Sequence, residues 1–132
     1  MKSRESLIRL KRFQADEKRR RVAQIEMMVA EFDRMAGDLD REIAAEEQKA
    51  GIADQSHFAY PTYAKAARGR RDNLRRSADD LKSQLDEAKA ELADAVEELK
   101  KAESLEDRER LMDSAREAQA SRHLVLGHPA RA

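Results

Sequence analysis

The chain has 132 residues, with 27 basic and 27 acidic side chains, no formal net charge, three Phe, two Tyr and no Trp. That length admits one domain, but a compact enzyme of this size builds its core from large apolar and aromatic side chains, and these are scarce here. The absence of Cys excludes disulfide frameworks, thiolate zinc sites and cysteine nucleophiles, and is consistent with a reducing compartment.

Low hydrophobicity with 41% charged residues can signal disorder, but disorder goes with Pro and Gly enrichment and a net charge, whereas this chain has two Pro and four Gly. A composition led by Ala, Glu, Arg, Leu, Asp and Lys is that of long helices or a coiled coil.

In chain order, the opening MKSRESLIRLKRF holds no continuous apolar stretch, so no export signal is expected. No window approaches the roughly 18 apolar residues of a membrane span, so no direct membrane insertion is expected either. Leu7, Leu10 and Phe13 lie off the phase of the seam that follows, in which Ile8 is the residue in register. Either the helix is rotated locally, or these three form an exposed apolar patch for a partner. Lys11 and Lys18 occupy seam positions. Their stems can cover Leu92 and Leu99, or the stretch is left loose or shaped to meet another acidic surface.

From Val22 the apolar residues Val22, Ile25, Val29, Phe32, Ala36, Leu39 and Ile43 alternate spacings of three and four, a strict heptad seam. Gly51 suits a helix C-terminus, and Asp54 or Ser56 can cap a new helix. Pro61 suits a first turn, so the second helix starts between Asp54 and Thr62. Phe58, Tyr60 and Tyr63 cluster at that start, either closing the hairpin or serving as a recognition surface, because aromatics so spaced cannot all face one narrow seam.

A second seam runs Leu74, Ala78, Leu81, Leu85, Ala88, Leu92, Ala95, Leu99, Ala102, after which Leu105 and Met112 fall off phase. Helix 1 is therefore expected over about 3–49, a loop over about 50–56, helix 2 over about 57–120 and a flexible tail over 121–132, stopped by Gly127 and Pro129.

Charge decides how the helices pair. Residues 1–21 carry a net +6, 22–50 a net −5, 51–76 a net +4 and 77–120 a net −7. A chain folded back at residues 50–56 sets every block against its opposite, while a parallel pairing would set basic against basic. The expected fold class is all-α, two long helices in an antiparallel coiled-coil hairpin. Opposing wide to narrow side chains gives a register in which facing residue numbers add to about 110, with Phe32 on Ala78, Ala36 on Leu74 and Val22 on Ala88.

No glycine-rich phosphate loop, G-x-S-x-G or H-E-x-x-H motif is present, and His57, His123 and His128 fall in the expected loop and tail. Carboxylates at i and i+4, such as Glu42 and Glu46, read as a solvated face. No catalysis, cofactor or metal is expected. The basic runs Lys18-Arg19-Arg20-Arg21 and Arg68-Gly69-Arg70-Arg71 lack interleaved aromatics and each has an acidic block to neutralise it, so no nucleic acid is expected.

Two segments carry a family resemblance. Ser6-Leu7-Ile8-Arg9-Leu10-Lys11-Arg12-Phe13, leading through a charged run into a heptad, and HFAYPTYAKAARGRRDNL at 57–74 resemble the flagellar export protein FliJ family. The likeness covers roughly residues 3–110. It implies a cytoplasmic coiled-coil stalk of the bacterial flagellar type III export apparatus, serving motility without catalysis. Such a stalk inserts into the export ATPase ring and contacts the cytoplasmic domain of the export gate membrane protein; some members also handle export chaperones. By position, Tyr60, Tyr63 and Ala67 match the gate-contacting patch, with Phe58 beside them, and Leu7, Leu10 and Phe13 match the region that engages the ring. The other reading is a generic coiled-coil adaptor or chaperone outside the flagellar system.

Overall fold

The computed structural model describes residues 2–126, with side chains for 3–124. It is all-helical: α1 (Lys2–Ala50) and α2 (Thr62–Leu126) are joined by residues 51–61 and pack against each other as a helical hairpin. By mutual packing the chain divides into two compact units. One is Lys18–Leu92; the other is made of the described parts of Met1–Glu17 and Ala93–Ala132.

In the unit Lys18–Leu92, Val22, Ile25, Leu81 and Ala88 form one buried cluster, with Val29, Phe32, Leu85 and Leu92 packed against it. Leu39, Ile43 and Ala67 form a second, completed by Leu74. Large residues of α1 meet a seam of α2 in which Leu alternates with Ala, the complementarity that close packing of two helices requires. Pairing is antiparallel: Asp33, Asp40 and Glu47 of α1 meet Lys82, Arg75 and Arg68 of α2 in reverse order, each set at heptad spacing.

In the other unit the buried apolar residues are Ile8, Ala15 and Ala102. Arg4 reaches Glu109 at 2.8 Å and Lys11 reaches Glu98 at 3.6 Å. Ile8 holds the seam position, so the helix is not rotated there, and Leu7, Leu10 and Phe13 stand 40%, 50% and 55% exposed. α2 likewise keeps its phase past Ala102. Glu106 and Glu109 take the next seam positions, half-buried, and it is Leu105 and Met112 that leave the seam, both exposed.

The connection is longer than the seven residues expected. α1 ends on Gly51, which adopts φ 68°, while the Gly51 N–H donates to the Gln48 carbonyl (3.3 Å) and the Ile52 N–H to that of Glu47 (3.2 Å). This is a Schellman ending, and glycine is needed there because a Cβ disfavours the left-handed region. Asp54 and Ser56 do not cap α2. The Asp54 carboxylate accepts from the Ser56 N–H (3.0 Å) and hydroxyl (2.7 Å), capping its own turn, and these bonds hold it below the usual carboxylate range. Two successive turns follow, closed by the His57 N–H on Asp54 O and the Tyr60 N–H on His57 O. The first helical bond of α2 runs from the Lys65 N–H to the Pro61 carbonyl, so α2 starts at Thr62, the late limit of the expected range.

At its far end α2 continues past residue 120 to Leu126. Nothing in ASRHLVL breaks a helix, and the next breaker is Gly127. The expected tail is therefore helical over 121–126, and its remainder, with Gly127, His128 and Pro129, lies outside the described residues.

Candidate interaction surfaces

The aromatic cluster divides by role. Tyr60 is buried at 8% exposure, and its hydroxyl donates to Glu47 Oε1 (2.9 Å) while accepting from Arg68 Nε (2.8 Å). Arg68 also pairs directly with Glu47 at 2.5 Å, and its guanidinium carbon lies 5.9 Å from the Tyr60 ring centroid. The three side chains close a ring of charge-assisted bonds. Bonds from Arg68 and then from Tyr60 hold the Glu47 carboxyl below its ordinary range.

Tyr63 is 52% exposed and donates to Glu42 Oε2 at 2.7 Å, a bond that pushes its phenol upward. Phe58 is 96% exposed. Its ring stacks on His57, centroids 4.7 Å apart, and His57 Nδ1 accepts from the Ala59 N–H.

Of the residues matched to gate contact, Tyr60 and Ala67 thus offer little surface, because both lie in the hairpin interior. Phe58 and Tyr63 are available to a partner. The signal for this is in the sequence: counted back from Leu74, the heptad passes through Arg71, Ala67, Ala64 and Tyr60 without a break. The aromatics cluster in sequence, but phase separates the interior residues from the exterior ones.

At the other candidate sites, Lys18 Nζ reaches Glu91 at 2.9 Å, and Lys11 reaches Glu98. The two lysines meet an acidic surface on their own partner helix. Lys18 in turn lowers the carboxyl of Glu91. In the basic runs, Lys18, Arg68 and Arg71 are likewise engaged across the hairpin, with Glu91, Glu47 and Asp40.

The two flanks of the unit Lys18–Leu92 differ. One carries the heptad ladder of Asp33, Asp40 and Glu47 against Lys82, Arg75 and Arg68. The opposite flank carries no such ladder and opens into two shallow grooves. One, of about 250 Å³, is bounded by Met35, Arg70, Leu74 and Ser77. The other, of about 300 Å³, is bounded by Arg21, Gln84, Glu87 and Glu91. Met28 stands between Arg21 and Met35 on this flank at heptad spacing and is 45% exposed.

Among the described residues no group of three or more His, Cys, Asp or Glu side chains is placed to hold a metal ion, and no helix is long and apolar enough to cross a membrane. Comparison with protein-family models, curated proteins and solved structures finds no match for this chain.

Proposed function

We propose that the chain is a non-enzymatic coiled-coil stalk of the bacterial flagellar type III export apparatus. In this reading it links the export ATPase ring to the cytoplasmic domain of the export gate, associates peripherally with the basal body at the inner membrane, and also receives export chaperones. The observation that carries the reading is the exposure of Leu7, Leu10 and Phe13 on a helix whose seam is otherwise kept in phase. An apolar patch on a chain this poor in large apolar residues is costly to leave in water and marks a contact surface. Phe58 and Tyr63 supply a second such surface beside the turn.

Pull-down with the flagellar export ATPase and with the cytoplasmic gate domain tests the proposal. Binding to both is expected, and binding to neither would sink it. Tyr63→Ala is expected to weaken gate association and motility without loss of helicity. Tyr63→Phe, which removes only the bond to Glu42, is expected to retain binding. A loss of helicity in Tyr63→Ala would make the residue structural instead.

A further inference from the structure

We propose that the flank of the unit Lys18–Leu92 opposite the ion-pair ladder, centred on Met28 and Met35, docks the N-terminal face of α1 from a second copy of this chain. The flank is suited to a helix. Met35 lines one of the two shallow grooves of that side, Met28 is exposed one heptad before it, and flexible methionines adapt to an incoming apolar surface.

Its charges select the partner. Asp80 and Glu87 border the flank and form no ion pair among the described residues, whereas Asp33, Asp40 and Glu47 of the opposite flank are engaged by Lys82, Arg75 and Arg68. Arg21 and Arg70 bound the two grooves, leaving the acidic stretch between them. The occupant should therefore be an amphipathic helix, apolar on one face and basic beside it.

The chain itself contains such a helix. Residues 1–21 carry a net +6, expose Leu7, Leu10 and Phe13, and include Arg9, Arg12 and Arg20, none of which forms an ion pair among the described residues. Leu10 and Met28 cannot meet within one copy, because both belong to the single helix α1. Between two copies they can. An antiparallel contact of α1 with its symmetry mate that sets Leu10 on Met28 sets the partner's Met28 on Leu10 as well, so the contact is isologous and closes as a dimer.

The test uses purified protein alone and so needs no export component, and because the dimer covers the same apolar patch, an export partner bound there would compete with the second copy. Sedimentation equilibrium is expected to give twice the chain mass of 15.1 kDa, falling toward the monomer as salt screens the charges. Leu10→Glu and Met28→Glu, both at exposed positions, are each expected to return the monomer mass with helicity unchanged and with melting no longer dependent on protein concentration. Because the chain has no Cys, Leu10→Cys mixed with Met28→Cys reports the contact directly, and the mixture is expected to crosslink more than either variant alone. A monomeric wild-type chain, a dimer that survives both Glu substitutions, or no excess of the mixed crosslink would overturn the proposal.

Discussion

Tyr60 joins three parts of the chain through one oxygen. Its hydroxyl bridges Glu47 at the end of α1 and Arg68 in α2, and its own backbone closes the last turn before α2. Tyr60→Phe leaves the Glu47–Arg68 pair intact and removes only that bridge, so it is expected to cost about 1 kcal/mol of stability in urea unfolding. Glu47 makes the same node sensitive to acid. Its folded carboxyl is held low by Arg68 and Tyr60, so its stabilisation is fully present above the unfolded value of about 4.3 and fades as pH falls through the lower folded value. Glu47→Gln should therefore be less stable than wild type at neutral pH, with the gap between their urea midpoints narrowing below about pH 4. A gap that stays constant with pH would remove the carboxylate from the account.

At the scale of the helices, phase is the property that the sequence makes legible. Val22 to Ile43 and Leu74 to Ala102 fall inside as their spacing requires, whereas phase left Leu7, Leu10 and Phe13 open to a local rotation of the helix, and the burial of Ile8 is what turns them outward. The start of α2 was less legible, because Asp54 and Ser56 have the same capping chemistry whether they cap a helix or a turn. The Tyr60, Glu47 and Arg68 node was hidden because its members come from three segments whose approach depends on how the turn closes. Lys11 and Lys18 show the limit of a heptad reading: spacing places them on the seam, but only the register across the pair shows that their ammonium groups meet Glu98 and Glu91. These are largely solvent-facing pairs, worth about 0–1 kcal/mol each, whereas a leucine at a seam position recovers about 1.5 kcal/mol or more of burial. Lys18→Leu, with Leu92 half-buried in the adjoining cluster, is thus expected to raise the melting temperature by a few degrees. A lower melting temperature would mean that the pair with Glu91 contributes more than an exposed bridge should.

Over the whole molecule the apolar material is unevenly spent. Both buried clusters belong to Lys18–Leu92, while the unit formed by the described parts of Met1–Glu17 and Ala93–Ala132 fully buries Ile8, Ala15 and Ala102, half-buries Ala95, Val96 and Leu99, and adds ion pairs such as those of Arg4 and Lys11. Two alanines and one isoleucine remove far less apolar surface than the Val, Ile, Leu and Phe side chains of the larger unit, and exposed ion pairs do not make up the difference. Opening of the smaller unit should therefore precede global unfolding. Amide hydrogen exchange is expected to be at least roughly tenfold faster over residues 7–13 and 105–112 than over 25–39 and 78–85, a difference of about 1.4 kcal/mol or more in opening free energy. Equal protection along both helices would mean that the chain opens as a single cooperative body. If the dimer proposed above forms, protection over residues 7–13 should also rise with protein concentration, because α1 of the second copy binds the closed unit.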